Sequence, residues 1–469
     1  MKRQITITWK RLALLPVVGL AGALTVGWSG LVSIAASSGH FAPVEWFLHW
    51  TFGNAVDTQS MAITLPEGID LGDPALVQRA AGHFASGCAP CHGAPGELQS
   101  PVVKAMMPWP PRLEGKVGEW RDRELFWIGQ HGVKYSGMPA WVSQKRPDEV
   151  WAMVAFLRAL PTMSAETYGT LALGRPADAA LREMTANAAL ADGSVDIAPA
   201  SSPGAAVPLP SATNAAPMAS GASPQTLGLS AMGQAGDPAL ADCARCHGES
   251  GRGVGAPGAF PVISGQPEAY LYETLLAYAA GTRESGIMTP AAGIHESETL
   301  RRLAAHYAAQ PAVAVEGAAS AVPPVSGVAI GPEHQVRAPR SSIGPDAPAT
   351  EPALTGADAV VDPSAAHGPP YSVDGLLALG RRLAEEGLPS EKIAACDSCH
   401  GASGRAKNPL YPYLAGQPEW FTATNLQLWK DGDRGGTPLA HVMTPIAINM
   451  TEEQIDAVAL WYASQPAGR

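Results

Sequence analysis

The chain has 469 residues, room for about three domains of ordinary size. Only 16% of them are charged, and a formal net charge of -11 leaves no basic stripe for phosphates, which excludes nucleic-acid binding as its work. The 50 Gly and 43 Pro residues point instead to compact units separated by loops and linkers.

Residues 1–11 carry Lys2, Arg3, Lys10 and Arg11, and residues 12–38 contain no charged side chain over 27 positions. That length predicts a transmembrane helix, and the basic residues before it predict a cytoplasmic amino terminus with everything after about Gly39 exported. A cleaved signal peptide, with small residues near Ala35 and Ala36, is the competing reading. A signal core usually has only about 7–15 apolar residues, which favours the anchor. In residues 39–63 the run from Glu45 to Phe52 places several aromatic rings just past the span. It suits a membrane interface or a helix packed on the first domain. His40 and His49 read as ordinary surface or core histidines.

Beyond this point Cys-x-x-Cys-His occurs three times, as Cys88 to His92, Cys243 to His247 and Cys396 to His400, and consumes all six cysteines. Thiols three residues apart on one helical turn face the same way, so each pair can take the two vinyl groups of a porphyrin. The following histidine then sits under the ring as proximal iron ligand. A zinc site would need further cysteines, and none remains. A thioredoxin-like pair expects a βαβ context that these Gly- and Ala-rich surroundings lack. Disulfides would join cysteines too close for good geometry or link separate domains. The pattern therefore predicts three covalently held haem c groups, bound by Cys88, Cys91 and His92, by Cys243, Cys246 and His247, and by Cys396, Cys399 and His400.

Three haem units divide the chain at 64–163, 229–311 and 372–469, with Ala/Pro/Ser-rich, disordered linkers at 164–228 and 312–371. A linker of about 60 such residues reaches roughly 45 Å, so the units are expected to move relative to the membrane. Residues around Ala165 to Leu190 have some helical character without an assigned role. Each unit closes on a helical apolar pattern, Asp148 to Leu160, Ser297 to Gln310 and Thr451 to Gln465. The expected core residues there are Trp151, Phe156, Leu300, Tyr307, Ile455, Leu460, Trp461 and Tyr462, and Thr451 with Gln454 forms a capping-box pattern.

The second and third units repeat one plan. Cys246 to Arg252 matches Cys399 to Arg405, and Gly265-Gln266-Pro267-Glu268 matches Gly416-Gln417-Pro418-Glu419. Gly281 and Arg283 match Gly432 and Arg434, and Met288-Thr289-Pro290 matches Met443-Thr444-Pro445. The methionines also supply the sixth iron ligand: Met138, Met288 and Met443 lie 46, 41 and 43 residues after their histidines, each near a proline. Such a thioether raises the redox potential. Gap-filling in the core is the bland use of methionine. Met106 and Met107 are rivals in the first unit, and His131, His295 and His441 keep histidine ligation open.

On these motifs each unit resembles a class I cytochrome c, and the second and third resemble the tandem dihaem cytochromes c of bacterial periplasms. The resemblance implies an all-α chain of three such domains after one amino-terminal transmembrane helix. It implies a proline carbonyl orienting each proximal histidine, a role that falls to Pro261 and Pro412. In the first unit the cluster Pro108 to Pro111 stands in place of a single candidate, so the contact is not carried over.

The function expected is a trihaem electron carrier anchored to the inner membrane with its haem domains in the periplasm. It would pass electrons in a respiratory chain from a membrane-bound dehydrogenase or other donor to a terminal oxidase or other acceptor. The alternative from another class is a haem peroxidase with one open iron. Arg121, Arg123, Lys134, Lys145 and Arg146 surround the first ligand loop and suggest an acidic docking partner.

Overall fold

The computed structural model describes residues 8–35, 37–66, 68–174, 237–311, 372–401 and 408–466. Among these residues every regular element is helical, and β-pairing is limited to isolated bridges, Ala94 with Glu97 and Leu388 with Ile393. The expected linker 312–371 and most of 164–228 lie outside the described residues.

Helix α1 (Trp9–Ser29) stops nine residues before the expected end of the apolar span, because Gly30 at φ 66° turns the chain out of the helix. Its Leu14, Val17, Leu20 and Leu24 are exposed. Among the described residues no helix is long and apolar enough to cross a membrane. Helix α2 (Ala42–Ser60) divides the two readings of the aromatic segment. Its second half packs on the first domain, with Val56 and Ser60 buried, Phe52 edge-on to Trp120 at 5.6 Å, and Asp57 paired with Arg121 and Arg123. Its first half leaves Trp46 and Trp50 exposed and stacked on each other at 6.0 Å.

The first domain joins α3 (Pro74–His83), α4 (Ala89–His92), α5 (Asp122–His131) and α6 (Pro147–Ala159). Asp73 caps α3 by accepting from Ala75 N at 2.9 Å, with Pro74 in the first turn where its missing N–H costs nothing. Helices α3 and α6 cross over a core of Phe84, Phe126, Trp151 and Phe156, whose rings pair at 4.7 Å and 4.5 Å. The supposed start of the first linker is helical: α7 (Ala165–Leu173) packs on α3, buries Tyr168 and Ala172, and accepts at Leu171 O from Gln78 Nε2 at 2.8 Å. The first domain thus extends to Gly174, since Tyr168 and Ala172 carry too short an apolar pattern to mark it.

The second domain contains α8 (Pro238–His247), α9 (Glu268–Ala279), α10 (Met288–Gly293) and α11 (Ser297–Ala308). The third contains α12 (Val373–Glu385), α13 (Asp397–His400), α14 (Glu419–Lys430) and α15 (Glu452–Ser464). The three closing helices fall within two residues of the expected spans. The capping box at α15 forms, with Gln454 N donating to Thr451 Oγ1 at 3.2 Å and Thr451 N to Gln454 Oε1 at 2.9 Å. Of the expected core, Trp151, Phe156, Leu300, Tyr307, Ile455 and Tyr462 are buried, while Leu460 and Trp461 are half-buried.

Helices α12 and α15 cross where Gly380 meets the Ala457 carbonyl, a contact that leaves no room for a side chain.

The domains are docked on one another. Gln266 Nε2 donates to Tyr413 O at 2.9 Å and its Oε1 accepts from Tyr413 N at 2.9 Å. Gln417 does the same to Val262, at 2.7 Å and 3.0 Å. The Gly-Gln-Pro repeat is therefore a reciprocal clamp between the second and third domains. The first domain meets both: Arg79 lies 3.6 Å over the Trp420 ring, and Lys145 bridges Glu284 and Asp433 at 3.4 Å each. Domain surfaces carry this complementarity residue by residue, and no periodicity announces it.

Candidate cofactor clefts

Each Cys-x-x-Cys-His run closes a helix. The histidines end α4, α8 and α13, and the next residue, Gly93, Gly248 or Gly401, turns away at φ 74°, 71° and 80°. Its N–H still closes the last helical turn, on Ala89, Ala244 and Asp397 at 2.8, 2.9 and 2.9 Å. A side chain at this left-handed position would be strained, which is why Gly follows the histidine in all three units. None of the six cysteines forms a disulfide. No group of three or more His, Cys, Asp or Glu side chains among the described residues can hold a metal ion directly.

The proximal histidines are oriented by carbonyls. His400 Nδ1 meets Pro412 O at 3.0 Å, as the resemblance implied, and His92 Nδ1 meets Pro111 O at 2.8 Å, the contact left unassigned in the first unit. A carbonyl only accepts, so Nδ1 must carry the proton and Nε2 keeps its lone pair for a ligand. In the second unit His247 Nδ1 is buried with no hydrogen-bond partner, although the Pro261 carbonyl lies near enough to favour its protonated form. Burial lowers all three histidines, His247 to about 4, and the proline carbonyls only partly oppose it. Neutral imidazoles at neutral pH are what an iron requires.

Gln99 adds a second support in the first unit. Its Nε2 donates to Cys91 O at 2.9 Å and Pro110 O at 2.7 Å, tying the motif to the proline cluster. No motif marks Gln99, and sequence reading missed it.

In the second and third domains one cavity of about 210 Å³ is lined by Cys243, His247 and Met288 and by Cys396, Cys399, His400 and Met443. Histidine and methionine of each unit thus share a cleft, and the two clefts open into each other. His295 and His441 do not line it. In the first unit Met138 is half-buried in a loop where Met138 N donates to Ser136 Oγ at 3.1 Å. The Met106 methyl reaches Gly137 beside it, whereas Met107 is 44% exposed. His131 is exposed at the end of α5.

Two arginines, the repeat pair Arg283 and Arg434, also line this cavity. Arg283 is 4% exposed and lies 4.6 Å over Tyr278; Arg434 lies 4.0 Å over Trp429. Neither has a carboxylate within ion-pair distance among the described residues. Burial first, and then the Arg283 charge, lowers Arg434 to about 9. Tyr307 Oη and Trp429 Nε1 are buried there without partners. Two unneutralised cations and two orphaned donors in an otherwise apolar cleft fit a flat apolar ligand bearing carboxylates. A porphyrin with its propionates has that description.

Basic residues around the first ligand loop are mostly consumed internally. Arg121 and Arg123 pair with Asp57, Arg146 pairs with Asp148 and Glu149, and Lys145 bridges to the other two domains. Only Lys134 of the five has no ion pair among the described residues, so most of these charges are already shared with carboxylates of the chain itself.

A family model for cytochrome C oxidase, cbb3-type, subunit III, matches residues 75–157, and a cytochrome c model matches residues 234–302. The thiosulfate dehydrogenase electron acceptor of Thiomonas intermedia is 30% identical over 50% of this chain and 82% of its own length. Cytochrome c-554(548) of Halomonas halodenitrificans is 37% identical over 16% of this chain and 89% of its own. The solved structure of reduced cytochrome c4 from Pseudomonas stutzeri aligns with 48% of this chain and 94% of that one, at 22% identity and a TM-score of 0.33. These relatives are electron-transfer cytochromes. With helical domains, a glycine-closed Cys-x-x-Cys-His turn in each and clefts suited to covalently bound haem c, the chain belongs to the class I c-type cytochromes with tandem domains.

Proposed function

We propose that the protein carries three covalently bound haems and moves electrons along a periplasmic respiratory chain, from a dehydrogenase to an oxidase or other acceptor. The observation that carries this reading is the placing of a neutral histidine and a methionine in one cleft, His247 with Met288 and His400 with Met443. In the first domain His92 and Met138 hold the same roles. A bound haem supplies a one-electron Fe(III)/Fe(II) couple, and the side chains around it hold, shield and tune it. When haem is bound, the cysteines would hold the ring against loss, the Pro111 and Pro412 carbonyls keep Nε2 of His92 and His400 free to ligate, and the methionines would exclude peroxide and oxygen from the iron. Arg283 and Arg434 neutralise buried carboxylates and favour the reduced state, whose charge is lower by one.

The donor in this proposal is a thiosulfate-oxidising dehydrogenase, a reading supported by the name of the Thiomonas intermedia relative, a thiosulfate dehydrogenase electron acceptor. The uncharged run 12–38, with apolar side chains exposed along α1, supports export and attachment to the outer face of the inner membrane. Attachment is checked by fractionating cells that mature c-type cytochromes: the haem protein should sediment with the inner membrane and be freed by detergent.

The functional test mixes the oxidised holoprotein with a purified thiosulfate dehydrogenase and thiosulfate. The haem bands should turn to the reduced form only when the enzyme and thiosulfate are both present. No reduction under these conditions removes the donor assignment. Rapid carbon monoxide binding at one haem together with peroxide turnover would move the protein to the peroxidases.

A further inference from the structure

Glu149 lies on α6 of the first domain, 5% exposed, and its carboxylate crosses to the second. Ser285 Oγ donates to Glu149 Oε1 at 2.5 Å and Gly286 N to Oε2 at 2.6 Å. From its own domain it accepts from Trp141 Nε1 at 3.2 Å and pairs with Arg146 at 2.8 Å. Both sets of contacts belong to ligand loops. Trp141 ends the first unit's Gly137-Met138-Pro139-Ala140-Trp141 run, and Ser285 and Gly286 lead into Met288. Ser285 Oγ passes the contact on by accepting from Ile287 N at 3.2 Å and Met288 N at 2.9 Å. Gly286 packs so closely on the Trp141 indole that a methyl group there would overlap it.

We propose that Glu149 is a positioning residue that latches the ligand loop of the first haem domain to that of the second, setting the position of Met288 and providing a fixed electron route between the two haems. This rests on the reading of Met138 and Met288 as iron ligands. Desolvating this carboxylate is costly and is offset only while all four of its partners stay in place, so the contact requires a closely fitted interface rather than a loose one. The latch also explains why the first domain is docked although about 60 residues connect it to the second.

The test uses the full holoprotein with Glu149→Ala, Glu149→Gln and Ser285→Ala. Glu149→Ala should weaken docking of the first domain about 10- to 100-fold, the effect of losing buried hydrogen bonds to a charged group. Electron equilibration between first and second haems after a flash of reductant should slow by a similar factor. The second haem's potential and its thioether band at the red end of the spectrum should shift, while those of the third haem stay put. Glu149→Gln, which keeps an acceptor for Ser285, should fall between wild type and alanine. Ser285→Ala, a smaller change, should shift the second haem in the same direction if Glu149→Ala fails to fold. Lys145→Ala, which removes only exposed ion pairs at the same interface, should leave the second haem unchanged. Unaltered second-haem spectrum and interhaem rate in Glu149→Ala, or in Ser285→Ala if the former does not fold, overturn the latch. The ligand reading is scored apart from it by Met288→Leu in the otherwise native chain, which should abolish the second haem's thioether band; an intact band there sinks the ligand reading and not the docking.

Discussion

At the residue scale, protonation states set the conditions under which the clefts stay intact. His83, edge-on to Trp141 at 4.7 Å, is pushed by burial down to about 4. The unfolded chain then binds a proton near pH 6.5 that the folded one refuses, so stability is present above that value and lost as pH falls toward 4. Asp456 runs the other way: burial, then the charges of Glu419 and Glu452, raise it to about 7. The folded third domain holds that proton more tightly than the unfolded chain, so stability is present below about pH 4 and lost as pH rises through 7. Calorimetry should show Asp456→Asn raising the third domain's stability at pH 8, by on the order of 1 kcal/mol for this half-buried group, with no gain at pH 4. Replacing Met443 with Leu should lower the potential of the third haem and remove its thioether band, leaving the other two; a redox titration followed optically reads this. The motif cysteines and histidines were readable because haem attachment imposes a strict local spacing, and Pro412 was readable only through the family resemblance. Gln99 and Pro111 were not, because the first unit makes the same support from residues 8 and 19 positions away without a repeated pattern. Arg283 and Arg434 stood out as a matched pair, but only their burial without carboxylates gave them a role.

At the element scale, helices were the most readable part. The closing helices carry amphipathic patterns and caps strong enough to place their ends within two residues, as the Thr451–Gln454 box does. Helix α7 was invisible as a domain element because its apolar positions number too few to stand out from a Pro/Ala-rich neighbourhood. The helix crossings rest on tight backbone contact, and Gly380→Ala tests one of them. Its methyl would press on the Ala457 carbonyl and sit 2.7 Å from Trp461 Cβ, so denaturant unfolding of the third domain should weaken by about 1–3 kcal/mol. The Gly-Gln-Pro runs were readable as a repeat and unreadable as a clamp, since each glutamine finds its partner about 150 residues away. Gln266→Ala with Gln417→Ala should loosen the second and third domains from each other while leaving each folded. Faster limited proteolysis at the interface with unchanged haem content would register this outcome, and an unchanged cleavage rate would argue that the clamp contributes nothing.

At the scale of the whole molecule, composition suggested three beads on flexible strings, and the domains instead dock through glutamine clamps, an arginine on an indole and a buried glutamate. Linker composition reports only the entropy of the connecting chain; it is silent about the complementarity of the surfaces it joins. A docked arrangement lets the second and third domains share one cavity and sets the first domain's loop against the second's through Glu149. All of this depends on three porphyrins joined through thioether bonds. Intact-protein mass spectrometry of material matured in a host competent for c-type cytochrome assembly tests that directly. The predicted mass is the polypeptide plus three haems, each lost with its own Cys-x-x-Cys-His cysteine pair when that pair is changed to alanine. A mass carrying fewer than three haems on the native chain would contradict the account.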